Sequence, residues 1–85
     1  MNSLKQKIEE VIGVDESVLL ADGFENAFVG IGRQFGNPIS VYNREKCIQI
    51  LEEQGMSTEE AEEYFRFNTE GAWVGEQTPI FLETI

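Results

Sequence analysis

The chain contains no histidine and only one cysteine, Cys47. Histidine is the commonest general base and the commonest metal ligand, so its absence excludes Ser–His and Cys–His nucleophile systems. A single cysteine excludes an internal disulfide and, without histidine, a structural zinc site. Cys47 falls on the inner face of a predicted helix, where we expect a small buried hydrophobe. The sequence therefore predicts a non-enzymatic protein of a reducing cytosol, with no metal and no cofactor.

Positive charge is also scarce, because 6 lysines and arginines stand against 16 acidic residues and leave a net charge of −10. Nucleic acids and anionic membranes both repel such a surface, so we expect no direct binding to either. No apolar run approaches the roughly 20 residues that span a bilayer. The N-terminal segment, MNSLKQKIEEVIG, is amphipathic and contains acidic residues, so it resembles neither a signal peptide nor a typical transit peptide. One interpretation of the negative charge is a partner protein with a basic surface. The alternative is that the charge serves only to keep the protein soluble.

What the chain does contain is enough apolar material for one core. It has 85 residues, of which 41% are hydrophobic and 11% aromatic. This length predicts a single domain over residues 1–85, with a core of modest size. The composition is inconsistent with an obligately disordered chain.

The stretch from Tyr42 to Phe67 predicts a helical hairpin. Asn43 is a suitable N-cap for a helix that runs from residue 44 to about residue 54, and Gly55 can end it. Ser57 and Glu60 match a capping box that starts a second helix. The predicted inner face of this second helix consists of Ala61, Tyr64, Phe65 and Phe67. Its predicted outer face carries Glu59, Glu62, Glu63 and Arg66.

The flanking segments predict one further helix and several strands. A helix over residues 3–12 is capped by Ser3, with Gln6 three residues later. Strands are predicted over residues 27–32, 39–42, 72–74 and 80–85, with turns at 22–23 and 34–38. The order α-β-β-α-α-β-β predicts an α+β fold, in which an N-terminal helix and a central helical hairpin pack on one face of a small antiparallel sheet of three or four strands.

Two acidic residues, Asp22 and Glu25, flank Phe24 in a glycine-rich segment. A hydrolytic carboxylate pair needs two carboxyl groups across a cleft. Asp22-Gly23 is, however, a common tight-turn signal, so we interpret this segment as a turn. The regular calcium-loop pattern is absent from the chain, which argues against a cation site.

Arg33 follows Gly30 and Gly32 in the same segment. An arginine beside glycines can hold a phosphate or another small anion, although the full phosphate-loop pattern is missing. The alternative is a strand whose arginine forms an ordinary surface ion pair. Both interpretations stay open at this point.

Three segments, DGFENAFVGIGRQFG, VYNREKCIQIL and GMSTEEAEEYFRFNTEGAWVGEQTPIF, resemble a family of small, acidic proteins encoded in phages, prophages and bacterial genomes. The resemblance covers about residues 20–82. Asn43 and Arg44 depart from it, because the family has more acidic residues there. The resemblance implies no catalytic residue. It implies an accessory protein of a phage or mobile element, a class that commonly binds host proteins.

The leading hypothesis is a phage-type protein that occupies a basic surface of a host protein in the host cytosol, as an inhibitor or a nucleic-acid mimic. Glutamates of the second helix would steer association, and aromatic residues would anchor it if they are exposed, although a lone tryptophan is more often part of the core. The candidate binding residues are Asp22, Phe24, Glu25, Arg33, Tyr42, Glu59, Glu62, Glu63 and Trp73.

Two alternatives remain. One is a nucleotide-binding or anion-binding module that uses Arg33 and the glycine-rich hairpin. The other is a structural homo-oligomer that pairs exposed sheet edges between chains.

Overall fold

The structure is a computed structural model that describes residues 6–8, 10, 13 and 17–85. Residues 6–8 and Glu10 are helical, and Ile8 is buried. The rest of the helix predicted over residues 3–12, with its cap at Ser3, lies outside the described residues. The α+β class predicted from the sequence is confirmed by the elements that follow.

A β-hairpin supplies two of the three strands of the sheet. Strand β1 (Phe28–Gln34) pairs antiparallel with strand β2 (Asn37–Asn43), and a two-residue turn joins them. A bulge lies between Phe28 and Gly30. The predicted turn at residues 22–23 is confirmed, and a short 3₁₀ turn, Glu25–Ala27, leads from it into β1.

The predicted helical hairpin is confirmed, with its caps. Helix α1 (Arg44–Glu53) begins at Asn43, whose side chain accepts a hydrogen bond from a first-turn backbone N–H at 3.0 Å. Helix α2 (Thr58–Phe65) begins at the capping box, in which Ser57 and Glu60 each accept from the other's backbone N–H. These bonds satisfy donors that a helix start otherwise leaves unpaired.

The last strand corrects the prediction of an antiparallel sheet. Strand β3 (Ile80–Leu82) pairs parallel with β2, so the sheet is mixed and has the order β1-β2-β3. Between these two strands the chain passes through both helices. Such a crossover returns the chain to the same end of the sheet and allows parallel pairing, which a tight turn does not.

The strand predicted over residues 72–74 does not form. Its polar groups are instead bonded within a compact loop, in which the Val74 N–H donates to Thr78 Oγ1 at 3.0 Å and the same hydroxyl donates to the Gly75 carbonyl at 2.6 Å. A backbone that is satisfied locally does not need a neighbouring strand. This loop connects β3 to a π-helical turn, Arg66–Glu70, that continues α2.

Aromatic rings dominate the core between the sheet and the helices. Phe28, Tyr42 and Phe81 lie side by side in register across the three strands, with neighbouring ring centroids 5.6 and 5.8 Å apart. Phe65 of α2 packs edge-on against Phe81 at 4.9 Å and against Phe24 at 5.8 Å. Edge-to-face contacts of this kind stabilise the fold beyond the area that they bury.

The predicted inner face of the second helix is only half correct. Ala61 and Phe65 are buried, but Tyr64 is 46% exposed and Phe67 is 72% exposed. Ala61 and Phe65 are four residues apart and share one side of the helix, whereas Tyr64 is turned about 100° from Phe65. Phe67 lies in the π-helical turn, which departs from the α-helical repeat.

Candidate functional site: a line of three surface grooves

The first groove lies along the exposed side of α2 and is called the α2 groove. Its volume is about 350 Å³. Glu60 and Glu63 are three positions apart on one face of α2, whereas Met56 precedes the helix and Phe67 lies in the π-helical turn that follows it. The groove combines two exposed aromatic rings with two carboxylates, and its lining is Met56, Glu60, Glu63, Tyr64, Phe67 and Asn68.

The second groove, the central groove, is mainly apolar and has a volume of about 390 Å³. One of its walls is the segment of residues 19–21, and the others come from the chain between α2 and β3. Its lining is Leu19, Leu20, Ala21, Asn68, Thr69, Ala72, Val74, Thr78, Pro79 and Phe81. Leu19, Leu20 and Val74 are exposed there.

Hydrogen bonds to buried side chains of β2 hold the wall at residues 19–21 in place. The Tyr42 hydroxyl accepts from the Ala21 N–H at 2.8 Å, and the Ser40 hydroxyl donates to the Leu19 carbonyl at 2.6 Å. Tyr42 and Ser40 are themselves fully buried. This wall of the central groove is therefore supported by the core.

The third groove, the tip groove, lies beside the turn of the β-hairpin and has a volume of about 300 Å³. Phe35, in the turn, is 96% exposed, and Trp73 is 76% exposed. The remaining lining residues are Gln34, Asn37, Glu76 and Thr78. Large aromatic side chains in this position remove little apolar surface from water, so burial does not account for them.

The three grooves are neighbours on the surface. Asn68 lines both the α2 groove and the central groove, and Thr78 lines both the central groove and the tip groove. We call the three grooves together the groove line. Most exposed large hydrophobic side chains of the described residues lie on it, namely Leu19, Leu20, Phe35, Tyr64, Phe67, Trp73 and Val74. Glu60 and Glu63 stand at one end and Glu76 at the other.

A separate, largely acidic groove runs beside α1 and α2, and Arg44 is one of its lining residues. Its guanidinium binds the Glu62 carboxylate with two hydrogen bonds, at 2.8 and 3.2 Å, and its Nε donates to Glu70. The guanidinium carbon also lies 5.5 Å from the ring centre of Phe65. These contacts raise the pKa of Arg44, and the hydrogen bonds from Arg44 lower that of Glu62.

Sequence reasoning did not find the role of Arg44. One local signal was available, because a cation in the first turn of a helix is unfavourable beside the positive end of the helix dipole. A residue in that position needs compensating carboxylates. The nearest of these in sequence, Glu62, is 18 positions away, so the compensation becomes visible only in the folded chain.

Two of the predicted anchoring residues are core residues. Phe24 is 8% exposed and Tyr42 is fully buried, so neither presents its ring to a partner. Trp73, for which the sequence favoured a place in the core, is on the surface. Of the predicted aromatic anchors, only Trp73 is exposed. The structure exposes three further rings that were not predicted as anchors, those of Phe35, Tyr64 and Phe67.

The predicted charged residues are separated by the fold. Glu59 and Glu63 are exposed on α2, whereas Glu62 is paired with Arg44. Asp22 and Glu25 lie in the turn before β1, where a Glu25 carboxylate oxygen accepts from the Gly23 N–H at 3.2 Å. Of the predicted site residues, Glu63 and Trp73 belong to the groove line.

The glycines beside Arg33 lie within strand β1. Gly30 follows the bulge in this strand, and glycine in a strand commonly marks a bulge. A Cβ placed on Gly32 would make an ordinary contact, 3.4 Å from a Val41 methyl group, and one placed on Gly30 would meet no atom within 4 Å. Arg33 itself is exposed on β1. Anion binding at this hairpin stays a prediction from the sequence.

Cys47 is fully buried, as predicted, and burial raises the pKa of its thiol to about 11. The thiol is therefore protonated at neutral pH and shielded from reagents. Among the described residues, no three acidic or cysteine side chains are grouped so that they could hold a metal ion. None of the described helices combines the length and the apolar character needed to cross a membrane.

Comparisons with protein-family models, with curated proteins and with solved structures found no significant match for this chain.

Proposed function

We propose that this chain is a non-enzymatic accessory protein of phage or prophage type that binds a basic surface of a host protein in the host cytosol and inhibits or modulates it. The groove line is the docking surface. The observation that carries the proposal is the concentration of exposed aromatic and aliphatic side chains along this one surface.

The apolar content of the groove line supports binding to a protein. Monomeric proteins rarely expose large contiguous apolar patches unless the patch is functional. Tryptophan and tyrosine are also the residues most enriched among those that dominate binding energy. Trp73 and Tyr64 lie on the two outer grooves, so a partner that spans the line contacts both.

Charge supports the choice of a basic partner. The glutamates at both ends of the line belong to a chain with a net charge of −10, and complementary charge accelerates association and suppresses wrong partners. A surface that combines carboxylates with aromatic rings resembles a nucleic acid in its chemistry. A suitable partner surface would be a basic, nucleic-acid-binding groove in a defence or transcription complex.

A paired set of variants tests the docking surface. The double variant Tyr64→Ser/Phe67→Ser removes two exposed rings from the α2 groove, and we expect it to weaken capture of a stoichiometric bacterial partner by roughly a hundredfold. The matched control is Val29→Thr, since Val29 is 54% exposed on β1 and outside the groove line. Equal capture by the double variant and the control would refute the α2 groove as part of the docking surface.

A homo-oligomer is a second candidate that one observation favours. Within the described residues β1 pairs only with β2, so its outer edge is available to a second chain. Edge strands can pair between copies. Sedimentation over a range of concentrations decides the matter, because a constant monomer mass would remove this candidate.

A further inference from the structure

The turn of the β-hairpin contains a residue that folding does not favour. Phe35 has a φ of +52° and Gly36 a φ of +80°. Two successive positive φ angles are the requirement of a type I′ turn, which strongly prefers Asn-Gly. Phenylalanine at the first of these positions is an outlier, because its Cβ crowds the backbone.

Packing of the Phe35 side chain does not offset the strain of its positive φ. Its side chain is 96% exposed, so it contributes almost nothing to the core. A residue that breaks a local rule without a compensating contact is expected at functional sites. The aromatic ring of Phe35 is therefore better explained by binding than by folding.

The same groove contains a second exposed ring, that of Trp73, and the carboxylate of Glu76. The loop that carries Trp73 and Glu76 is tied down internally. The Ala72 N–H donates to the Thr69 carbonyl at 3.2 Å, and the Val74 N–H donates to Thr78 Oγ1 at 3.0 Å. A binding group held by such a loop loses little freedom when it binds.

We propose that Phe35, Trp73 and Glu76 bind an arginine or lysine side chain of the partner protein. Aromatic rings attract cations through their negative faces, and a carboxylate in the same groove supplies the counter-charge. A second copy of this chain would bring another strongly acidic surface to the groove and be repelled. The inference rests on the proposed function, which it narrows to a cationic side chain at the tip groove.

Trp73 is the sole tryptophan of the sequence, so its fluorescence reports on this groove alone. The probe is the peptide acetyl-Gly-Arg-Gly-amide, and its citrulline counterpart serves as an uncharged control of nearly the same shape. We expect a saturable change in Trp73 fluorescence with the arginine peptide, with a Kd on the order of millimolar, and at least about tenfold weaker binding of the citrulline peptide. Equal responses to both peptides, or none to either, would overturn the proposal.

Three variants distinguish peptide binding at the tip groove from attraction of the peptide by the net negative charge of the chain. Phe35→Asn and Glu76→Gln should each weaken the arginine peptide by roughly tenfold. Glu53→Gln removes the same charge from an exposed position on α1 and should have little effect. If Glu53→Gln and Glu76→Gln weaken binding equally, the peptide is held by net charge and the tip groove is not its site.

Phe35→Asn also tests the argument about folding. Asparagine suits the positive φ better, so this variant should melt at a higher temperature than the natural chain. A lower melting temperature would mean that Phe35 is a structural residue, against the proposal. If the peptide experiment fails while capture still depends on Tyr64 and Phe67, the proposed function survives and only the tip-groove inference is lost.

Discussion

Arg44 shows how one side chain organises the acidic helical hairpin. It lies at the start of α1, where the helix dipole disfavours a cation, yet it contacts both α2 and the π-helical turn. Its guanidinium bonds to Glu62 of α2 and to Glu70 of the π-helical turn and covers the ring of Phe65. The planar, forked guanidinium suits this arrangement, and a lysine could not reproduce it.

We therefore expect Arg44→Gln to lower the melting temperature at about pH 7 by on the order of 5 °C. Because Arg44 lowers the pKa of Glu62 in the folded chain, the pair stabilises the fold above the unfolded pKa of a glutamate. This stabilisation is lost as the pH falls through the lower pKa of the folded state. The difference between the natural chain and Arg44→Gln should accordingly shrink below about pH 4.

Urea unfolding at several pH values measures the difference in stability between the natural chain and Arg44→Gln. Lys46→Gln is the control. Lys46 is an exposed residue of the same helix, and its replacement removes the same charge. An identical pH dependence for the two variants would show that net charge, and not the Arg44–Glu62 pair, sets the acid sensitivity.

At the scale of elements, we expect the stability of α2 to come from the capping box at its N-terminus more than from its length. It has only 8 residues, and isolated helices of this size are not stable in water. Its capping box satisfies two backbone donors, and the hydrogen bonds from Ser57 lower the pKa of Glu60. The helix also carries the α2 groove, so its stability and the proposed binding are linked.

Ser57→Ala should reduce the free energy of unfolding by about 1 kcal/mol, because it removes the acceptor for the Glu60 N–H. Ser57→Asp is the matched control, since aspartate is an equally good cap and should retain most of the stability. Equilibrium denaturation with urea measures both variants. Unchanged stability in Ser57→Ala would mean that the core contacts of Ala61 and Phe65 alone hold α2.

The elements that the sequence predicted correctly are those with local signals. Asn43, Gly55 and the Ser57–Glu60 box mark helix boundaries through bonds that reach only a few residues along the chain. The bounds of α1 and the start of α2 follow from them. The buried state of Cys47 likewise follows from helical periodicity within one element.

The features that the sequence did not predict depend on contacts between distant segments. The parallel pairing of β3 is set by the path of the chain through the helical hairpin. Trp73 is exposed in a loop where Thr78 accepts a hydrogen bond from the Val74 N–H. The exposure of Phe67 follows from a π-helical turn that no local pattern announced. The groove line is assembled from these three features, so it was largely invisible in the sequence.

At the scale of the whole molecule, we expect the net charge to lower stability and to favour the proposed binding. A net charge of −10 on 85 residues makes the folded chain repel itself. Ion pairs such as that of Arg44 with Glu62 oppose this repulsion locally. The same net charge would attract a basic partner and accelerate its approach.

Salt should therefore separate the two effects. Raising NaCl from about 20 mM to about 300 mM shortens the screening length severalfold, so we expect the melting temperature of the free protein to rise while its association rate with a basic partner falls by roughly tenfold or more. The double variant Glu53→Gln/Glu59→Gln, which removes two exposed charges, should show smaller changes in both measurements. A melting temperature that falls with salt would mean that local ion pairs outweigh the repulsion, and a salt-independent association rate would contradict electrostatic steering of the partner.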